Sequence, residues 1–289
     1  MLAEIARPRP PAAFAWRRLR RRPVAALSAL VLAGLVVVAA AAPVLAPHDP
    51  YALIPASVLR PPSPRFPFGT DDLGRDILSR VIYGTRISLE IGLVTVTIAL
   101  GAGTTIGLVA GYYGGPVDAL LMASMEVLLA FPQILLALAV VAMLGPSLAN
   151  AMIAVGISGV PVYARTARGV TLSVLTTDYI QAARALGASD GRILVRHVVP
   201  NILAPIVVLA TAGMGISLLV AAGLSYLGLG AQPPLPEWGA MLSAARAYLR
   251  SAWWMATFPG LGIMVMVLCL NLLGDWLRDL LDPRLRTAL

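Results

Sequence analysis

The sequence predicts an all-α, polytopic membrane protein with six transmembrane helices and one large loop on the cytoplasmic side. Three observations carry this. Of 289 residues, 58% are hydrophobic and only 12% charged, whereas a soluble domain carries about 25% charged residues. Mean hydropathy is +0.83. The charges also fall between long apolar blocks, so lipid must cover much of the chain.

A spanning helix needs about 20 apolar residues. After a tail over 1–23, the uncharged run Val24 to Ala46 is the first span. Arginines precede it as they precede a signal peptide's core, but the run exceeds an h-region of 7–15 residues, which favours a membrane anchor. Residues 47–86 are the outer segment. Its first part, 47–67, holds seven prolines and is expected to be extended. Residues 71–83 place Leu73, Ile77, Leu78, Val81 and Ile82 on one helical face, predicting an amphipathic helix at the outer interface, capped by Thr70 or Asp71.

A core of five more spans follows over 87–280. Ile91 to Val117 is uncharged and carries Gly103, Gly107 and Gly111 at four-residue spacing. Small residues so spaced let helices approach closely, either in general packing or at a dimer face. Ala119 to Ala164 is too long for one span, and Gly145-Pro146-Ser147 divides it near 144. Val198 begins the fifth span, which ends before Pro233-Pro234 and Pro236. Ser251 to Gly274 is the sixth, and 281–289 is the second tail. With both termini inside, fifteen of the 22 arginines are cytoplasmic, as the positive-inside rule requires. Trp253 and Trp254 are then expected at the outer interface as anchors.

Composition excludes several function classes. Every one of the 22 basic residues is arginine. A phosphate-binding P-loop needs its lysine, so this chain holds none. Lysine Schiff-base chemistry is excluded likewise. Cys269 is the single cysteine, which excludes an intrachain disulfide or a multi-cysteine metal site. His48 and His197 lie far apart in loops. The net charge of +8 is dispersed between apolar blocks rather than gathered on one exposed domain, so no nucleic-acid partner is expected. A self-contained secondary transporter would need coupling-ion sites and often an inverted repeat, and neither is visible. An intramembrane enzyme would need a dyad or H-E-x-x-H, also not visible.

The segment richest in signal is the inner loop, about 166–199. Asp178, Tyr179, Ile180, Gln181, Ala182, Ala183, Arg184, Ala185 and Leu186 read as a short helix ended by Gly187 in the left-handed conformation. Ser189 or Asp190 then caps a second helix. Ala182 and Ala183 form a narrow surface suited to a groove, and Arg184, Arg192 and Arg196 offer charge to an acidic partner.

This loop resembles the EAA loop of ABC-importer permeases: Gln181 stands for the glutamate, Ala182, Ala183 and Gly187 match, Val199 stands for the leucine and Pro200 matches. Along the rest of the chain, Phe68-Gly69-Thr70-Asp71-Asp72-Leu73-Gly74-Arg75-Asp76, Ala130-Phe131-Pro132, Pro236-Glu237-Trp238-Gly239 and Asn271-Leu272-Leu273-Gly274-Asp275 are similar to the C-type permeases of dipeptide and oligopeptide importers (DppC/OppC-like). Family members often carry arginine at the position of Ala123 and aspartate at that of Glu126. The resemblance implies the type I ABC importer permease fold in a bacterial cytoplasmic membrane. It implies a non-enzymatic translocation subunit for dipeptides or oligopeptides, with nickel or glutathione as alternative cargo in relatives. It implies as partners a homologous permease forming a heterodimer, two ABC ATPase subunits and an extracytoplasmic substrate-binding protein, with ATP and Mg on the ATPases and no cofactor on this chain. Asp178, Tyr179, Gln181, Ala182, Ala183, Arg184, Gly187, Arg192 and Pro200 are the candidates for contact with the ATPase. Glu126 and Pro132, both within the third span, are candidates for gating or packing: a carboxylate in a span is a functional candidate by default, and its alternative is a protonated or hydrogen-bonded carboxyl inside the bundle.

Overall fold

The computed structural model describes residues 22–281. Arg17, Arg18, Arg20 and Arg21, and the run Asp282-Pro283-Arg284-Leu285-Arg286, lie outside the described residues. Five helices are long and apolar enough to cross a membrane: α1 (Pro23–Ala40), α2 (Ile77–Tyr113), then α5 (Leu148–Leu175), α7 (Asp190–Tyr226) and α9 (Trp254–Leu281). Between α2 and α5, the helices α3 (Gly115–Leu129) and α4 (Gln133–Leu144) meet at 93°. Taken as one broken crossing, they bring the number of spans to six.

The break in the third span is written in Ala130-Phe131-Pro132. Pro132 has no amide hydrogen and restricts the residue before it, so a helix cannot run through it unbroken. It becomes instead the residue preceding α4, where its carbonyl accepts from Leu135 at 2.9 Å. Gly114, at φ 64°, turns the chain from α2 into α3.

The most extensive helix pairing is α2 against α5, and the glycine ladder makes it. A Cβ at Gly103 would stand 2.5 Å from the Val160 carbonyl oxygen, and one at Gly107 would stand 2.1 Å from that of Ala164. At Gly111 it would meet the Thr171 side chain at 2.9 Å. The four-residue spacing therefore serves packing within the chain, the first of the two readings it allowed. Pro161, Pro205 and Pro259 lie inside α5, α7 and α9, which membrane helices tolerate because neighbours satisfy the freed backbone groups.

The outer segment departs from expectation. Residues 71–76 are not helical, and no interfacial helix spans 71–83; residues 77–83 are the first two turns of α2. Two facts explain this. Asp71 accepts from the amides of Leu73 and Arg75, both at 2.9 Å, which closes an Asx turn. Gly74 sits at φ 77° with Ile54 against its backbone, where a Cβ would meet the Ile54 oxygen at 2.1 Å. Leu73 is 46% exposed, so its apolar spacing does not mark a buried face. Asp76, not Thr70 or Asp71, caps α2, accepting from the Ser79 amide at 2.9 Å.

This turn works as a clasp over the end of the bundle. Arg75 donates to Asp71 at 2.6 Å, and both are buried. Arg80 donates to the Pro50 carbonyl at 2.9 Å and to that of Pro234 at 3.3 Å, tying the segment before α2 to the connection after α7. Trp254 is buried rather than an interface anchor: its indole donates to the Thr70 carbonyl at 3.0 Å. Trp253 is 53% exposed. Trp238, in α8 (Trp238–Ala245), donates to the Val81 carbonyl at 3.1 Å. Glu237 caps α8 through the amides of Gly239 and Ala240, at 2.9 and 2.8 Å, and burial pushes its carboxyl up from the ordinary value.

Candidate functional site

The connection between α5 and α7 lies at the end of the bundle opposite the clasp. It contains α6 (Asp178–Ala185) and then the start of α7. α5 continues to Leu175, ten residues past the span end at 165, so the non-helical connection is shorter than the loop expected over 166–199.

α6 is amphipathic over two turns. Ile180 is fully buried and joins Val174, Ile193, Val198 and Ile202 in one apolar cluster. That anchor leaves Asp178, Tyr179, Gln181, Ala182 and Arg184 exposed, with Ala183 half-buried. The acid at the first turn and the base at the last complement the helix dipole. At the end of α6, Ala188 donates to the Ala183 carbonyl at 3.0 Å and Leu186 to that of Ala182, also at 3.0 Å. Gly187 takes φ 80°, as a left-handed helix terminator does. A Cβ there would meet nothing within 4 Å. The requirement for glycine is thus one of backbone conformation, not of space.

Beyond the turn, Ser189 precedes the helix without a side-chain cap. Asp190 is otherwise engaged: it accepts from the Tyr112 hydroxyl at 2.6 Å. The helix runs Asp190–Ile193, then one π turn over Leu194–Val198, then Val199–Tyr226. Pro200 accounts for the π turn. It cannot donate to the carbonyl of Arg196 and its ring crowds that carbonyl, so the preceding turn widens and the Val199 amide reaches back to Leu194.

Side-chain contacts, some local and some between distant residues, complete this region. Tyr112 reaches it from the end of α2, and the Arg184 guanidinium stands over the Tyr112 ring at 5.9 Å. Asn201 donates to the Tyr179 hydroxyl at 3.3 Å and to the His197 carbonyl at 2.7 Å. Gln181 donates to the Leu175 carbonyl at 3.2 Å; the glutamate it replaces would have no proton to offer there. Tyr112, Asn201 and Asp190 thus join the site through distant pairings that spacing does not reveal.

The outward face carries Tyr179 at 46%, Leu186 at 89% and Val195 at 71% exposed, beside exposed Arg184, Arg192, Arg196 and Pro200. Apolar side chains rimmed by positive charge on an anchored helix make a surface suited to an acidic protein groove.

Glu126 and Pro132 do not join this surface. Glu126 is exposed on α3, the helix that buries only Met125 within this chain. Its neighbourhood is held by Arg168 of α5, which grips Asp118 with two bonds of 2.5 Å.

Comparison with known proteins follows the same lines. Residues 103–287 match the model of the binding-protein-dependent transport system inner membrane component, and residues 11–62 match the N-terminal transmembrane domain of oligopeptide transport permease C. The chain is 46% identical over 273 residues to the dipeptide transport system permease protein DppC of Alkalihalophilus pseudofirmus, covering 94% of this chain and 90% of the relative. It is 50% identical over 272 residues to the glutathione transport system permease protein GsiD of Escherichia coli, with the same coverage of 94% and 90%. Among solved structures, a chain of the MetNI methionine ABC transporter, in inward-facing conformations, aligns with TM-score 0.58 and 20% identity over 71% of this chain and 97% of that one. That likeness speaks for the fold.

Proposed function

The chain belongs to the family of binding-protein-dependent transport system inner membrane components, and from that premise we propose that it conducts dipeptides or similarly short peptides inward on behalf of an ATP-driven importer. It is a multi-pass protein of the bacterial inner membrane. Its partners are a homologous permease, with which it forms a heterodimer, two ABC ATPase subunits and an extracytoplasmic binding protein. ATP and Mg belong to the ATPases, and this chain carries no cofactor and no catalysis of its own.

The observation that carries the proposal is α6. A two-turn helix in a connecting loop rarely holds still by itself. Here Ile180 and Ile193 fix its underside, Gly187 turns it back, and Tyr112 ties its exit to a span. Rigid anchorage with an exposed apolar and basic face is what a lever between ATPase and permease requires. Ala182, Ala183 and Gly187 form the contact, flanked by Asp178, Tyr179, Gln181, Arg184 and Arg192, and Pro200 directs the recoil into α7. In this orientation the α6 end is cytoplasmic and the clasp faces outward.

The glutathione relative, at 50% identity, favours a second cargo of the same class, a short peptide with free ammonium and carboxylate groups. Two experiments test function and orientation. The purified chain alone in liposomes is expected to show no uptake and no ATP hydrolysis, and the full assembly with its binding protein ATP-dependent uptake of labelled alanyl-alanine. Uptake by the single chain would establish a secondary transporter instead. Single cysteines at Arg60 or Gln232 label from outside the cell and one at Asp190 does not; the reverse pattern would invert the topology.

A further inference from the structure

Between α5, α7 and α9, toward the α6 end, lies a cavity of about 510 Å3. We infer that it is a binding site for the zwitterionic cargo on the side of release, with Arg278 receiving the carboxylate and Asp275 the ammonium group. The inference rests on the peptide-import reading above.

Three features point to such a ligand. The first is size: small-molecule sites occupy roughly 300–1,000 Å3, and a dipeptide fits within the lower part of that range. The cavity has a defined top. At Gly274 a Cβ would stand 2.8 Å from the Thr211 hydroxyl oxygen, so α9 and α7 touch there. The space opens toward the end of α9, where Leu281 lines it.

The second is the distribution of polarity. The walls are Pro205, Val208 and similar small apolar side chains, with the Thr166 hydroxyl on the α5 side. Asp275 and Arg278 are three residues apart on α9 and therefore share a face. They supply one charge of each sign against an apolar floor. Both charges are exposed at the open side of this floor, where a ligand can reach them from the aqueous phase.

The third is that, among the described residues, no partner is bonded to either charge, although Asp275 also borders a second groove beside Arg22. Among the described residues, neither Asp275 nor Arg278 takes part in an ion pair. The neighbouring Asp279 does, with Arg22 at 3.3 Å. Nor do Asp275 and Arg278 satisfy one another. An acid and a base at the mouth of one cavity, unpaired among the described residues, complement a ligand bearing both an ammonium and a carboxylate. Every unblocked short peptide has that pattern whatever its side chains, which suits a permease whose selectivity is set by its binding protein.

A site on the release side makes accumulated cargo a brake: internal peptide occupies the cavity and slows the return of the permease to its outward-receptive state. The test uses the complete importer reconstituted with its ATPases facing the lumen, preloaded with ATP and graded amounts of unlabelled alanyl-alanine. Initial uptake of labelled alanyl-alanine is read as a fraction of each preparation's own rate without internal peptide. Internal alanyl-alanine is expected to inhibit the parental complex, while N-acetyl-alanyl-alanine amide, which lacks both charges, does not. Arg278→Gln and Asp275→Asn should each raise the half-inhibitory concentration about tenfold or more, as the loss of a charge-assisted hydrogen bond implies. Equilibrium binding of labelled alanyl-alanine to the solubilised permease–ATPase complex, without binding protein, should weaken by the same factor. Equal inhibition in parental and variant complexes, equal inhibition by the blocked peptide, or no inhibition from inside overturns the site; the last result is also expected if a lipid chain fills the cavity. Absence of uptake in the parental complex would instead refute peptide import itself, and the inference with it.

Discussion

The hydroxyl of Tyr112, at the last turn of α2, donates to the carboxylate of Asp190, at the first turn of α7, across 2.6 Å. These residues are 78 positions apart, and between them lie the broken third span, α5 and α6. The bond ties the exit of α6 to the most extensive helix pairing in the bundle, that of α2 with α5.

Tyr112→Phe removes that bond with little change of shape. A hydrogen bond to a charged group contributes about 1.5–3 kcal/mol when sheltered, and solvent at this exposed site reduces it toward about 1 kcal/mol. The variant is expected to assemble and to hydrolyse ATP, but to take up less cargo per ATP. Hydrogen exchange across residues 178–193 should accelerate several-fold in the variant complex. Unchanged exchange and unchanged uptake per ATP would show that Tyr112 does not hold the loop.

The glycine ladder predicts a contrast within one helix. At Gly107 a Cβ meets the Ala164 carbonyl oxygen at 2.1 Å, which is backbone and cannot step aside, whereas at Gly101 it meets nothing within 4 Å. Gly107→Ala should destabilise the protein by about 1–3 kcal/mol through overpacking. Gly101→Ala should be neutral or raise stability by up to ~1 kcal/mol, because alanine favours the helix. Thermal unfolding in detergent reads both, and equal midpoints would contradict the close α2–α5 approach.

The clasp predicts an effect of its own. Trp254→Phe keeps the aromatic packing but leaves the Thr70 carbonyl without its indole donor. Leaving a buried acceptor unpaired costs about 1–3 kcal/mol. Protease access to residues 47–76 from the outer side should rise, while span labelling stays as in the parent. No change in either access or melting would mean that the Trp254 bond does not secure the clasp.

Glu237 gives a pH dependence with a definite sign. Its carboxyl is fully buried as the cap of α8 and is pushed above the ordinary 4.5 by burial. The folded state therefore holds this proton more tightly than the unfolded chain does. Its contribution to stability is complete below pH 4.5 and declines as pH rises through the raised value. Glu237→Gln removes that titration. The difference in melting temperature between parent and variant should shift in the variant's favour as pH rises from the acid side, and a difference independent of pH would contradict the assignment.

Much of this was legible in the residues. The apolar runs located the spans because lipid leaves few alternatives to a helix. Gly187 marked the end of α6, because glycine alone enters the left-handed conformation there without strain. Long-range pairings were not legible in the same way. The spacing of Leu73, Ile77 and Val81 fits a helical face, yet the Asx turn at Asp71 and the backbone of Ile54 against Gly74 override it. Trp254 reads as an interface anchor until Thr70 is seen opposite it. The sequence leaves the surroundings of Glu126 open, and they are set by α3 lying on the outside of its own chain. Tyr112 gives no local sign of Asp190. In each case the deciding partner is remote in the chain or not local in pattern.

The central claim is that α6 transmits the work of the ATPases, and paired measurement of substrate-stimulated ATP hydrolysis and uptake in the reconstituted complex tests it most directly. Gly187→Val places a β-branched residue at φ 80°, at a cost of about 1–2 kcal/mol, with no clash to confuse the result. Ala183→Arg puts bulk and charge on the contact face. Both variants are expected to reach the membrane, assemble and retain docking of the binding protein, while stimulated ATP hydrolysis and uptake fall together to a small fraction of the parental rates. Normal assembly with parental hydrolysis and parental uptake in both variants would show that α6 is an ordinary connector, and would contradict the account.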